Sequence, residues 1–212
     1  MTEPGAGERL ALLVHEVRSP TAALIAIATA LDDRELDLPA RAELVRLAIG
    51  ACLAIERIML DASYESVDLR DLDPGELVRE VAARAALEGV TLETKIASNL
   101  PRIRGDDLRL RQALGNLVTN ARVHSGTDRP VAVGARAERG EVLLFVSDAG
   151  VGVPDSERER IVERGVRLDP SRPGTGLGLA IVKAVAEAHG GRLDVVSAPA
   201  RGATFAIVLP AR

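Results

Sequence analysis

Aromatic residues are almost missing from this sequence: no tryptophan, one tyrosine and two phenylalanines in 212 residues. Stacking platforms for bases or sugars are therefore nearly absent, and recognition falls to aliphatic walls and polar groups. Cysteine occurs once, as Cys52, which excludes an internal disulfide and, in an apolar periodic stretch, reads as a buried thiol in a reducing compartment. No apolar run reaches the roughly 18 residues that a spanning helix needs, and the opening MTEPGAGERL is too polar for a signal peptide. The expectation is a cytoplasmic chain with no membrane insertion by these residues, standing alone or as part of something larger. An excess of basic charge is lacking too: 27 Lys and Arg face 31 Asp and Glu, for a net charge of −4. Such a balance leaves no electrostatic footprint for nucleic acid or an anionic membrane.

A core is well provided for, since 47% of the residues are hydrophobic, and their spacing changes along the chain. Leu10, Val14, Val17, Thr21, Leu24, Ala28 and Leu31 alternate steps of four and three, a heptad seam on a helix. After DDRELDLP, with Pro39 as a helix stop, a second seam runs Leu44, Ala48, Ala51, Ile55, Ile58 and Ala62. Two such helices form an antiparallel hairpin with one apolar side uncovered, so a four-helix bundle built from two chains is the economical solution. From about Ser66 the segments SVDLRDL and VTLETKI read as strands, DPGELVREVAARAAL and DDLRLRQALGNLVTNARVH as helices, and VAVGARA with EVLLFVSD as a hairpin through ERG. A helix in GLGLAIVKAVAEAHGG precedes strands RLDVVSA and ATFAIVLP. The fold class expected is α+β: a helical hairpin over residues 1–65 forming a dimeric four-helix bundle, then, over 66–212, a mixed sheet with helices on one face.

Four places carry chemistry. LLVHEVRSP sets His15 beside Glu16 with Pro20 five residues on; Pro20 lacks an N–H and its ring opposes the Glu16 carbonyl, so a bend is expected there. His15 follows seam residue Val14 and so is turned by about 100° to the flank of the bundle. In DDLRLRQALGNLVTNARVH the polar residues Gln112, Asn116, Asn120 and His124 recur every four residues, and two asparagines one turn apart offer oxygens to a hard cation and amide protons to phosphate. A solvated helix face is the plain alternative. SDAGVGVP places Asp148 at a strand end before Gly150 and Gly152, where a carboxylate can accept from an exocyclic amine such as that of adenine. PGTGLGLAIVK sets Gly174, Gly176 and Gly178 before a helix, a layout that favours phosphate, although it is neither a P-loop nor a clean dinucleotide fingerprint. The long connection VPDSERERIVERGVRLDPSRP between the glycine clusters reads as a lid, with Arg158, Arg160, Arg164, Arg167 and Arg172 available to a triphosphate. His189, in EAHGG, reads as a cation capping a helix end.

In this order, HEVRSP, LRQALGNLVTNA, SDAGVG and GTGLGLAIVKAVAEAHGG resemble the H, N, G1 and G2 boxes of the sensor histidine kinases of two-component signalling, from about residue 10 to 209. The resemblance implies that residues 1–65 are a dimerisation and histidine-phosphotransfer hairpin and that 66–212 are an ATP-binding domain of the type shared with gyrase, Hsp90 and MutL. It implies Asn120 as the Mg²⁺ ligand, Asn116 near the phosphates and Asp148 on the adenine amine with Gly150 and Gly152 shaping that wall. Gly174, Gly176, Gly178 and Arg172 would line the triphosphate, and Thr204 would help to hold adenine. The sequence departs from the pattern at Val123 and His124, where the family has a lysine and an aromatic. It departs again at IVERGVRLD, which stands for a phenylalanine motif, at Ser19 for Thr or Asn, and at Thr21 for Leu.

The function so implied is ATP-dependent autophosphorylation of His15 and transfer of the phosphoryl group to an aspartate on a response-regulator receiver domain. Glu16 would hold the second imidazole N–H, and Ser19 would orient water in any reverse reaction. A dimeric phosphotransfer scaffold with a weakened ATP site is the alternative, to which the missing lysine points. An ATPase or serine kinase on the same nucleotide fold would lack the H box.

Overall fold

The computed structural model describes residues 6–32, 36–65, 67–125, 130–163, 165–169, 176–197 and 202–212. The chain divides into two compact units, Met1–Ala62 and Ser63–Arg212. Among the described residues no helix is long and apolar enough to cross a membrane.

The first unit is built on helices α1 (Ala6–Leu31) and α2 (Leu38–Glu65). Helix α1 continues through Pro20. Just after it Thr21 Oγ1 donates to the Val17 carbonyl at 2.8 Å, and further on Thr29 Oγ1 donates to the Ile25 carbonyl at 2.9 Å. Pro39 does not stop a helix but stands in the first turn of α2, where a proline has no amide bond to lose. Asp37 caps that turn, its Oδ1 accepting from the Ala40 N–H at 2.7 Å.

The seam expected on α1 is only half shielded. Val14, Thr21 and Ala28 are exposed while Val17, Leu24 and Leu31 are half-buried, and off the seam Ile25 is 64% exposed and Ile27 buried. Among the described side chains Val17, Pro20, Leu24, Ala30 and Leu31 are half-buried and Ile27 buried, and an open groove on α1 is lined by Val14, Val17, Arg18, Thr21, Ala22 and Ile25. On α2 the expected seam residues Leu44, Ala48, Ala51, Ile55 and Ile58 are all half-buried.

The second unit is α+β. Its elements are β1 (Arg70–Leu72), α3 (Pro74–Leu87), β2 (Glu93–Ile96), β3 (Ile103–Gly105), α4 (Asp107–Ser125), β4 (Ala132–Glu138), β5 (Glu141–Ser147), α5 (Gly178–Ala188), β6 (Arg192–Ser197) and β7 (Ala203–Pro210). A five-stranded mixed sheet has the order β2-β4-β5-β7-β6, parallel at β2–β4 and antiparallel elsewhere. Strand β3 was not expected. It pairs with β1 in a separate two-stranded sheet, too short at three residues each to show a period.

Strand alternation sorts the large sheet into two faces. Val142, Leu144, Val146, Phe205, Ile207 and Leu209 form one, against which α3, α4 and α5 pack. Leu143, Phe145, Ala206 and Val208 form a small buried cluster on the other, with the Arg136 guanidinium 5.4 Å above the Phe145 ring.

Helices α4 and α5 pack together and are joined at one end through the buried His189. Its Nδ1–H donates to the Val185 carbonyl at 2.6 Å, and Nε2 accepts the Asp106 N–H at 2.8 Å. This pattern requires the neutral imidazole. The expected helix-end role is present, but as a neutral ring, because burial pushes the imidazole pKa below its ordinary value, an effect the Val185 carbonyl and Asp106 only partly offset.

A pH dependence follows. The folded state binds fewer protons at His189 than the unfolded chain, so its stabilisation is complete above about pH 6.5, the ordinary histidine value, and declines as the pH falls below it. Thermal unfolding of the wild type should therefore weaken more between pH 7.5 and about pH 5.5 than that of His189→Gln; parallel curves would contradict the assignment.

Candidate functional site

Helix α4 starts at a capped end. Asp106 Oδ1 accepts the Arg109 N–H at 3.2 Å, and the Asp106 carbonyl accepts that of Leu110 at 3.0 Å. Leu110, Ala113, Leu114, Leu117, Val118 and Ala121 are buried along one side. Leu110, Leu114 and Leu117 have no exposure at all, worth about 1.5–3 kcal/mol each. Together the three outweigh the cost of about 1–3 kcal/mol for partly burying a side-chain amide, so the leucines set the rotation of α4 and carry the asparagines with them. The polar file is graded rather than uniform: Gln112 is exposed, while Asn116, Asn120 and His124 are half-buried.

The end of β5 meets the end of this helix. The Asp148 N–H donates to the Ala203 carbonyl at 2.8 Å, extending the ladder one residue beyond the strand. Asp148 Oδ1 accepts the Gly150 N–H at 2.8 Å in a local turn. A Cβ at Gly150 would lie 2.5 Å from the His124 carbonyl oxygen and 2.8 Å from Asp148 Oδ1. Only glycine lets the turn reach α4, and the Asp148 carboxylate is thereby held against the carboxyl end of the asparagine helix. Gly152 follows at a φ of 71°.

Thr204 is not brought to this carboxylate. It pairs with Ser147 in the β5–β7 register, and its hydroxyl donates to the Ser147 hydroxyl at 2.9 Å. Both lie on the face of Phe145 and Ala206, away from the helices; the residue opposite Asp148 is Ala203. A one-residue change of position on a strand reverses the face, which composition does not reveal.

The connection after Gly152 is more ordered than a bare loop. It holds single 3₁₀ turns at Asp155–Glu157 and Arg160–Val162, with Val153 and Ile161 buried. The Val153 N–H donates to Ser197 Oγ at 2.7 Å, and Ser197 Oγ donates to the Gly202 carbonyl at 2.8 Å. Arg158 donates to the Ser197 carbonyl and pairs with Asp155 at 2.6 Å, and Arg160 pairs with Glu157 at 2.8 Å. Two of the arginines expected for a lid are thus engaged within its base. Arg164, Arg172 and Gly174 lie outside the described residues. At the far end of the connection the Gly165 N–H donates to the Gly176 carbonyl at 3.1 Å.

Helix α5 then begins at Gly178 with no side-chain cap among the described residues. This contrasts with α3, where Asp73 accepts the Gly75 N–H at 2.7 Å, and with the Asp106 cap of α4. Exposed first-turn N–H groups of a helix suit an anionic acceptor.

In the first unit His15, Glu16 and Ser19 are exposed on α1. His15 and Ser19, four residues apart, share a face.

The chain matches the family model described as histidine kinase-, DNA gyrase B-, and HSP90-like ATPase over residues 105–212. It is 34% identical over 213 residues to the sensor-like histidine kinase SenX3 of Mycolicibacterium smegmatis, covering 92% of this chain and 55% of that protein. To the sensor protein DivL of Caulobacter vibrioides it is 35% identical over 208 residues, covering 92% of this chain and 27% of that one. The chain thus spans about half the length of SenX3 and roughly a quarter of DivL. Among solved structures, the mycobacterial sensor histidine kinase MprB superposes with a TM-score of 0.58 at 32% identity, covering 68% of this chain and 98% of that one. Full-length ShkA in complex with AMPPNP superposes with a TM-score of 0.69 at 30% identity, covering 96% of this chain and 46% of that one.

Gly202 gives the sharpest structural test of this corner. Its φ is 80°, and a Cβ there would fall 2.0 Å from the Asp148 carbonyl oxygen. Gly202→Ala should cost roughly 1–3 kcal/mol in urea unfolding, because the strain must be relieved by moving Asp148. An unchanged midpoint would contradict the packing.

Proposed function

Because this chain belongs to the histidine kinase-, DNA gyrase B-, and HSP90-like ATPase family and, within it, to the sensor histidine kinases, we propose that it binds Mg²⁺-ATP in its second unit, residues 66–212, phosphorylates its own His15, and passes the phosphoryl group to an aspartate of a response-regulator receiver domain. The observation that carries the nucleotide reading is the amino end of α5, which has no side-chain cap among the described residues, in a unit where α4 offers two half-buried asparagines and Asp148 is fixed by Gly150.

In this reading Asp148 spends one carboxylate oxygen on the Gly150 N–H and keeps the other for the exocyclic amine of adenine. Gly150 and Gly152 shape that wall. The N–H groups at Gly178 and the glycines before it, Gly174 and Gly176, serve the phosphates, with Arg172 beside them. Thr204 acts through the Ser147 hydroxyl rather than on the base. Val123 supplies no charge, and Arg122, exposed on α4 and without an ion pair among the described residues, takes the place of the missing lysine.

Magnesium fits the same residues. Among the described residues no group of three or more His, Cys, Asp and Glu would hold a metal, and Mg²⁺ needs none, since one amide oxygen of Asn120 with phosphate oxygens and water completes its preferred shell. Bound there, it would neutralise charge on the triphosphate.

On α1 the neutral imidazole of His15 is the nucleophile, and Glu16 accepts its second N–H, which raises the basicity of the attacking nitrogen. Ser19 has a shorter reach than an amide, so water-driven reversal is weak. The open stripe of Val14, Val17, Thr21 and Ile25 supports a homodimer joined through the hairpin of residues 1–65 as a four-helix bundle. Cytoplasmic placement follows from the same activity, which draws on cytoplasmic ATP.

The alternative, a phosphotransfer scaffold with a weakened ATP site, is favoured only by Val123. With [γ-³²P]ATP and Mg²⁺ the wild type should acquire an acid-labile, base-stable label that falls to background in His15→Ala. Equal labelling of the two overturns the assignment of His15. Absence of Mg²⁺-dependent nucleotide affinity in the wild type would favour the scaffold.

A further inference from the structure

The helix pair that carries the proposed nucleotide ligands is fastened at its opposite end by the His189 side chain. His189 closes α5 and is buried, with both ring nitrogens used: Nδ1–H to the Val185 carbonyl at 2.6 Å within its own helix, and Nε2 to the Asp106 N–H at 2.8 Å at the start of α4. Gly105, next to Asp106, lies beside the ring: a Cβ there would be in ordinary contact, 3.4 Å, with a ring carbon of His189.

Because the clasp joins the end of α5 to the start of α4, and the helices pack on one another, α5 runs back along α4. It is 11 residues long, about 16 Å at 1.5 Å per residue. Its amino end at Gly178 therefore comes level with the part of α4 that holds Asn116 and Asn120.

We propose that His189 is a positioning residue for the nucleotide site: the neutral imidazole pins α5 to α4 and so holds the phosphate-facing amino end of α5 in register with Asn116 and Asn120. The inference rests on the nucleotide reading above and adds to it a residue far from the ligand that sets its affinity.

Protonation breaks the clasp, since a second ring N–H would then confront the Asp106 N–H. The charged groups acting on the ring are Asp106 and Arg109. They offer no rescue: Asp106 Oδ1 is held by the Arg109 N–H, and Oδ2 by the Asp68 N–H at 3.1 Å and the Arg109 guanidinium at 3.5 Å. An imidazolium could take the carboxylate only by uncapping α4. Nucleotide affinity should accordingly fall with acid, and bound nucleotide should in turn resist protonation of His189.

The test is nucleotide affinity of the full chain between pH 8 and pH 5.5 for wild type, His189→Gln and His189→Leu, with Mg²⁺-ADP as the probe. Glutamine places an acceptor near the Nε2 position and does not titrate there. At pH 8 His189→Leu should bind at least about fivefold more weakly than wild type, with His189→Gln restoring most of the loss. On acidification wild type should lose at least about fivefold more affinity than His189→Gln, a difference in which the titration of the nucleotide itself cancels.

Parallel pH profiles for wild type and His189→Gln, with binding intact, overturn the positioning role alone. Absence of binding in both at every pH overturns the nucleotide reading and this inference with it. If His189→Leu fails to fold, the comparison of the other two chains still decides.

Discussion

The burial of one side of α4 is the constraint on which the second unit depends. Leu110, Leu114 and Leu117 are fully withdrawn from water against the sheet, and with 3.6 residues per turn their rotation dictates where Asn116 and Asn120 point. Both ends of the helix are then tied down by different chemistry. At the start Asp106 caps the helix and gives its N–H to His189; at the finish the backbone beside His124 is met by Gly150, and through it by Asp148. A helix fixed in rotation by apolar burial, at its start by hydrogen bonds and at its finish by close packing of Gly150 can hold amide side chains for a ligand without spending ligand affinity on ordering them.

The charged groups divide in the same way. Arg158 and Arg160, which by composition looked available to a triphosphate, are occupied at the base of the connection after Gly152. Helix α5, in contrast, has no side-chain cap at its amino end among the described residues, where the helix dipole favours an anion. In the hairpin unit α1 bears a shielded stripe through Ile27 and an open one through Val14 and Ile25. A helix with two apolar stripes is suited to more than one neighbour.

Much of this was legible in the sequence because the signals were long or chemically specific. The apolar strands EVLLFVSD and ATFAIVLP and the helices in DPGELVREVAARAAL and DDLRLRQALGNLVTNARVH lie where the sequence puts them. The failures have physical causes. Strand β3 has three residues, with buried Ile103 and Gly105 on either side of exposed Arg104, too few for a period. Thr204 was assigned by motif, whereas the β5–β7 register puts it on the face of Ser147. His189 read as a helix-end cation because neither its burial nor its contact with Asp106, 83 residues away, has a local signature. Pro39 read as a stop, although a proline one residue into a helix costs no backbone bond. Ile27 lies off the seam of α1 because a heptad pattern marks one stripe and this helix has two.

The claim on which the account turns is that α4 carries chemistry on its half-buried turns and not along its whole polar file. Nucleotide affinity of the full chain, measured with and without Mg²⁺ for wild type, Asn120→Ala and Gln112→Ala, tests it directly. The account predicts that Asn120→Ala loses the Mg²⁺-dependent part of the affinity while Gln112→Ala, altered at an exposed position, stays within about twofold of wild type. Equal affinities in all three chains, or a loss at Gln112 matching that at Asn120, would contradict it.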